Sequence, residues 1–235
     1  MSVRKALVLF SGGQDSTTSL CWAKENFDQV QAMTFDYGQI HHVELSCAKS
    51  ICEILHIEQN IVDLTFLAGF SDNALTKPSV EISMKGTHGD LPSTFVPGRN
   101  ALFLTVAGAY ASAKGMDHLV IGASQVDYSG YPDCREEFLR SQEKTLSLAC
   151  DQNILIYHPL LHLSKAQTFH MAKELGALDL VIEHSHTCYR GDREHLHVWG
   201  YGCGQCPACE LREKGFQEYQ NQYSSIEREN THGDS

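Results

Sequence analysis

An α/β fold, with a parallel sheet covered by helices on both faces, is what this sequence predicts, and three observations carry the prediction. An apolar run at 7–10 stops abruptly at Ser11-Gly12-Gly13, and a helix-compatible stretch follows over 16–26. That is the pattern of strand, tight loop and helix. Strand-like and helix-like stretches then alternate at the spacing of parallel strands joined by helical crossovers. Near the C-terminus four cysteines gather at 188, 203, 206 and 209, so a helical, metal-binding segment is expected to follow the sheet. The expected boundaries are 1–176 for the α/β domain, 177–223 for the helical and metal-binding segment, and 224–235 for a polar tail.

The elements follow in order. Residues 30–35 read as the second strand, ending in Asp36-Tyr37-Gly38-Gln39. A helix over 41–55 would place Val43, Cys47, Ile51 and Ile54 or Leu55 on one face, and 59–62 form the third strand. From 63 to 97 Ser, Thr, Asp, Pro and Gly accumulate and no period survives. That stretch is too long for an ordinary connection and reads as an excursion or lid beside the site. An apolar helix resumes over 99–114 with Leu102, Phe103, Val106 and Tyr110, followed by strand 118–122, helix 135–148 and strand 154–157. Ser164-Lys165-Ala166-Gln167 has the form of a capping box, opening a helix that runs to 175 and closes at Gly176. Residues 178–183 suggest one more short helix, and the polar tail after Tyr223 is expected to fray.

Composition narrows the function classes. The chain has 235 residues and a formal net charge of −11, which argues against a large nucleic-acid footprint. No apolar run is long enough to cross a bilayer. Met1-Ser2-Val3-Arg4-Lys5 leads into the first strand without a signal-peptide pattern, so a cytoplasmic location is expected. Nine cysteines in a reducing compartment argue against a disulfide framework.

The chemistry gathers in two places. Gly12 and Gly13 let backbone N–H groups approach an anion, and the helix behind them directs its positive end to the same spot. Ser11, Ser16 and Thr17 add hydroxyls, and Asp15 either positions a magnesium ion or caps the helix. The plain alternative is a strand-to-helix turn of any α/β protein; a Walker A loop is excluded because its terminal Gly-Lys-Ser/Thr is missing. In such sheets ligands sit at the carboxyl ends of the strands, where Ser11 and Asp36 fall. Cys188, Cys203, Cys206 and Cys209 supply four thiolates for a closed tetrahedral site, hence one structural zinc. A redox pair, an iron–sulfur cluster, or a ligand exchange with His184, His186, His195 or His197 are the alternatives. Cys21, Cys47 and Cys52 read as core residues.

Three loops would share the rim: 35–39, 94–100 and 122–135. Arg99 could meet a carboxylate or phosphate, or be an ordinary surface arginine. Asp127 and Asp133 could accept from an amino-heterocycle or be turn residues. Phe95, Tyr128 and Tyr131 could stack on a planar base or pack the loops. Cys134 is a candidate nucleophile, and Lys165 could neutralise phosphate charge in a transition state.

The stretches FSGGQDSTT (10–18), TFDYGQ (34–39), TFVPGRN (94–100) and SGYPDCR (129–135), with the four cysteines, resemble the 7-cyano-7-deazaguanine synthase family of the PP-loop ATP pyrophosphatases. The resemblance runs from about residue 5 to 215. It implies a Rossmann-like, adenine nucleotide alpha hydrolase-like fold. It also implies a ligase that converts 7-carboxy-7-deazaguanine to the nitrile through adenylated intermediates, releasing AMP and pyrophosphate. ATP with Mg(2+) would then lie against Phe10, Ser11, Gly12, Gly13, Gln14, Asp15, Ser16, Thr17, Thr18, Ser19 and Leu20. Asp15, Ser16, Lys165 and Arg99 would be catalytic, and Tyr37, Gly38, Arg99, Asn100, Asp127, Tyr131 and Asp133 would bind substrate. Free ammonia is the expected nitrogen donor, since no glutaminase domain is recognisable, and a homodimer is expected. The segment 190–202 is longer and richer in histidine than the family pattern. Rival readings are another PP-loop enzyme, such as a tRNA thiolase or an amide-forming synthetase, an enzyme joining the deazaguanine to a different amine, and a zinc-knuckle module that only senses a nucleotide.

Overall fold

The structure is a computed structural model that describes residues 3–83, 91–126 and 131–230, with side chains to 223. Five parallel strands form one sheet in the order β3-β2-β1-β4-β5. They are β1 (Lys5–Leu9), β2 (Gln29–Asp36), β3 (Glu58–Asp63), β4 (His118–Ile121) and β5 (Leu155–Tyr157). β1 is central, and from Ala6 onward its residues are apolar and buried, as a strand covered on both faces requires. Side chains alternate across it. Leu7 and Leu9 join the core under α3 (Arg99–Ala113) and α4 (Glu136–Cys150). Ala6, Val8 and Phe10 join the core under α1 (Gln14–Asn26) and α2 (Val43–Leu55).

The expected elements are all present, but on two helices the buried stripe is shifted from the one their apolar pattern suggests, with Cys47 and Ile51 of α2 buried as expected and Leu55 packed against the core. On α2 the buried residues are Cys47, Ala48, Ile51 and Cys52, while Ile54 is exposed. The backbone of α2 presses on the loop after β1: a Cβ on Gly12 would lie 2.7 Å from the Ala48 nitrogen. On α3 the buried stripe is Leu104, Ala107, Gly108 and Ala111, with Leu102, Phe103, Val106 and Tyr110 only partly buried at its flanks. Gly108 lets Leu146 of α4 approach; its missing Cβ would stand 2.9 Å from Leu146 Cδ1. Small residues mark the contact line, which apolar periodicity alone does not reveal.

The excursion after β3 has no period, yet it is held by side chains. A 3₁₀ turn spans Thr65–Gly69. Buried Asn73 accepts from the Leu75 and Thr76 N–H groups and donates to Thr76 Oγ1. Ser93 Oγ donates to the Glu81 carbonyl and accepts from the Ser83 N–H. These are the local bonds by which Ser and Asn hold irregular chain.

A third apolar cluster joins α5 (Lys165–Glu174), α6 (Leu178–His184) and α7 (Pro207–Asn230). The capping box at Ser164 and Gln167 is formed, and Gly176 takes a φ of +64°. The domain boundary expected at 176 thus falls between two helices that share one core. The helical backbone of α7 runs to Asn230, past the point at which fraying was expected. Segment 190–202 folds as a small hairpin, β6 (Leu196–His197) and β7 (Gly200–Tyr201), with Trp199 buried at its turn and the His197 ring stacked on it at 4.3 Å.

Arg212 of α7 is 1% exposed and binds this unit together. Its Nε donates to the Trp199 carbonyl and one Nη to the Val181 carbonyl, both at 2.8 Å, and the other Nη to Thr187 Oγ1 at 3.1 Å. Burial pushes its pKa down to about 10, with Asp15 opposing, so the guanidinium stays charged at neutral pH. Arg212→Met is expected to strand those acceptors and lower stability by on the order of 3 kcal/mol, read as a fall in the urea midpoint. Leu104→Ala, a cavity under α3, should cost about 2–5 kcal/mol, with the denaturant slope unchanged.

Candidate active site

At the carboxyl end of β1 the chain leaves the sheet through Ser11-Gly12-Gly13 and enters α1 without a side-chain cap. Gly12 takes a φ of +82°, a conformation that favours glycine. The turn is locked by its hydroxyls. Ser16 Oγ donates to the Gly13 carbonyl and lies 3.1 Å from Ser11 Oγ, while Thr17 Oγ1 donates to the Gly13 carbonyl at 2.8 Å. The Gly12 carbonyl accepts from the His186 N–H at 2.9 Å, and a Cβ on Gly122, after β4, would come within 2.9 Å of Asp15 backbone. Three separate parts of the chain therefore press on one loop.

The loop opens onto a cleft of ≈ 320 Å³. Phe10, Ser11, Gly13, Gln14, Asp15 and Ser16 line it, whereas Gly12, Thr17, Thr18, Ser19 and Leu20 are buried behind it. Gln14 is 2% exposed, and its carboxamide has no partner among the described residues. An anion at this uncapped helix N-terminus would offer the acceptor that Gln14 Nε2 lacks.

Asp15 does not cap its helix. Lys165 Nζ donates to both its oxygens, at 2.9 and 2.8 Å. Lys165, at the start of α5, is 8% exposed, and its stem passes α7 at Gly215, where any Cβ would overlap Lys165 Cβ and Cγ.

The opposite wall carries Tyr37, Arg99, Asn100 and Tyr131. The Arg99 guanidinium stands 5.5 Å from the Tyr37 ring centre, with Nη1 3.5 Å from the hydroxyl. Burial pushes the Tyr37 phenol up to about 12, with Arg99 opposing. Gly38 does not line the cleft; its φ of +78° serves the turn after β2, where its N–H donates to Asp36 Oδ1. Asp133 is committed to structure: its Oδ2 accepts from the Asn100 N–H at the start of α3, and its carbonyl accepts from Asn100 Nδ2. Asp127 and Tyr128 lie outside the described residues. Burial pushes the Cys134 thiol up to about 12, so it holds no thiolate at neutral pH and is a poor nucleophile. Thr94 and Tyr131 hydroxyls meet at 2.6 Å, with the Tyr189 hydroxyl beside them.

Cys188, Cys203, Cys206 and Cys209 place their Sγ atoms within 4.8 Å of one another, and the Cys188–Cys206 separation is 4.0 Å. Tetrahedral thiolates about 2.3 Å from a zinc-sized ion stand about 3.8 Å apart, so this donor set fits a metal ion and the sulfurs are too far apart for a disulfide. Hydrogen bonds from Cys206 and Cys209 hold Cys188 well below the thiol range, and sharing that charge pushes Cys206 up to about 11. Four such groups can all ionise only around a cation.

Sequence reasoning missed Glu44, Tyr189 and Arg212 in the cleft wall, and gave His186 only as a spare ligand. Glu44 follows the rim loop in the first turn of α2, and burial pushes its carboxyl up to about 7, with Arg99 opposing. His186 Nε2 lies 3.1 Å from the Cys188 carbonyl, so His186 braces the knuckle from outside the sulfur cluster. Arg212 had no local signal beyond lying three residues after Cys209.

Known proteins share this architecture. A 4-thiouridine synthetase, solved in complex with RNA and with bound ATP, superposes with a TM-score of 0.52 at 19% identity, covering 91% of this chain and 53% of that one. The common element is the PP-loop ATP pyrophosphatase fold. A 7-cyano-7-deazaguanine synthase of Wolinella succinogenes is 54% identical over 94% of this chain and 95% of its own. Proteins of the same name from Lysinibacillus sphaericus (50% identical, 93% and 97% covered) and Helicobacter pylori strain P12 (50%, 91% and 95%) are similarly close. The family model described as queuosine biosynthesis protein QueC matches residues 5–220. Half identical to these relatives almost end to end, and matched by that model over nearly its whole length, this chain belongs to the QueC family.

Proposed function

We propose that this protein converts 7-carboxy-7-deazaguanine and ammonia to 7-cyano-7-deazaguanine, at the expense of two ATP. The observation that carries the reading, within the family just shown, is the Lys165–Asp15 pair beside an uncapped helix N-terminus. In the first half the substrate carboxylate attacks the α-phosphate of ATP and pyrophosphate leaves. Ammonia then adds to the acyl carbon, loses a proton, and AMP departs to give the amide. In the second half the amide oxygen attacks the α-phosphate of a second ATP, and a second pyrophosphate leaves. Loss of AMP from carbon and of the remaining N–H protons leaves the nitrile.

Backbone N–H groups from Gly13 to Ser16 and the hydroxyls of Ser11 and Ser16 would receive the pyrophosphate. Lys165 would balance charge gathering on the α-phosphate, and Arg99 would hold the substrate carboxylate. Magnesium, when bound through Asp15, would neutralise phosphate charge. Positioning and charge suffice, so no protein nucleophile is required, in keeping with the unionised Cys134 thiol. That thiol also weighs against the thiolase reading, which needs a reactive cysteine. Zinc in the four-cysteine site would be structural, since four protein ligands leave no open position. A cytoplasmic homodimer without nucleic-acid partners completes the reading.

Incubation with the carboxylate, Mg-ATP and ammonium, followed by mass spectrometry, should yield the nitrile with two AMP per turnover. Asp15→Ala should abolish AMP formation while the circular dichroism spectrum is retained; normal turnover would sink the nucleotide role. Elemental analysis of protein purified without added metal should find about one zinc per chain, and iron in its place would overturn the assignment.

A further inference from the structure

Two carboxylates line the described part of the cleft, those of Asp15 and Glu44. Lys165 holds both oxygens of Asp15. Glu44 is in the opposite condition: among the described residues no hydrogen bond or ion pair meets its carboxylate. It is half-buried, in the first turn of α2, whose backbone packs directly on the Gly12 loop. A carboxylate partly withdrawn from water with no partner among the described residues is less stable than one in free solvent. Such a group is stabilised when a ligand brings N–H donors to it.

The neighbours of Glu44 describe that ligand. Arg99 is the leading charge acting on it, though outside ion-pair distance, and Tyr37 feels both groups. The cleft wall thus sets a cation and a carboxylate side by side around one aromatic ring, with Arg99 against its face. A heterocycle fitting this wall presents acceptor oxygens next to two N–H donors along one edge. The substrate proposed above does so: its carboxylate and 6-oxo oxygens adjoin N1–H and the 2-amino group.

Resting on that functional reading, we propose that Glu44 recognises the deazaguanine, accepting from N1–H and the 2-amino group while Arg99 meets the neighbouring oxygens. Two N–H donors against the two oxygens of one carboxylate form a bidentate, charge-assisted pair. The same pair excludes adenine from this pocket, because adenine N1 is an acceptor and would face the carboxylate with a lone pair. An enzyme that must hold two different purine-like rings at once thereby keeps ATP out of the acceptor site.

The test compares 7-carboxy-7-deazaguanine with the same compound lacking the 2-amino group. In the wild-type protein the deaminated compound should lose about 10- to 100-fold in kcat/KM; a ratio near one overturns the assignment without recourse to any variant. Glu44→Gln, which replaces one acceptor by a donor, should raise the KM for the deazaguanine by about the same factor. It should also collapse the discrimination toward one and leave the KM for ATP unchanged. A Glu44→Gln enzyme that keeps both KM and discrimination, or loses only kcat, overturns the recognition role. Absence of AMP in the wild-type reaction overturns the functional reading itself, and with it this one.

Discussion

A lysine ammonium held 8% exposed needs a counter-charge, and in this protein that need organises the site. Lys165 reaches Asp15 across 150 positions of sequence. For the pair to close, Gly12 must turn the chain off β1, Ser164 and Gln167 must fix the first turn of α5, and α7 must offer a glycine where the lysine stem passes. The pair therefore pins the sheet to the C-terminal helices as well as charging the mouth of the cleft. Removing either partner would leave a buried charge, so site chemistry and local stability are linked here.

Net charge says little about this cleft. The chain carries −11 overall, yet Lys165, Arg99 and Arg212 all line the one pocket. Local placement, not the whole-molecule sum, decides what an active site attracts. Groups that might otherwise compete as nucleophiles are silenced by burial, as the Cys134 thiol and the Tyr37 phenol show. What remains active is fixed positive charge and oriented backbone.

The cysteine cluster is tied to the same pocket. Cys188 lies between Thr187 and Tyr189, and His186, Thr187 and Tyr189 all line the cleft. The His186 N–H holds the Gly12 carbonyl, and the Tyr189 hydroxyl lies beside those of Thr94 and Tyr131. An ion that fixes Cys188 thus fixes the wall on both sides of it. The histidine-rich stretch after Cys188 adds a hairpin whose Trp199 carbonyl is one of the Arg212 acceptors.

Features set by neighbouring residues were legible in the sequence. The central strand follows from uninterrupted apolar character, the loop from paired glycines, the α5 cap from Ser164 and Gln167, and the metal-type cluster from cysteine spacing. Each depends on backbone geometry or ligand chemistry over a few positions, which the chain carries with it wherever it folds. Tertiary structure alone decided which stripe of α2 and α3 is buried, since that is set by the contact lines at Ala48 and Gly108. It alone gave Asp133 to the start of α3, left Glu44 without a partner among the described residues while placing it near Arg99, and brought Lys165 to Asp15. Those outcomes depend on which elements meet across the fold, and no local pattern of residues encodes that meeting.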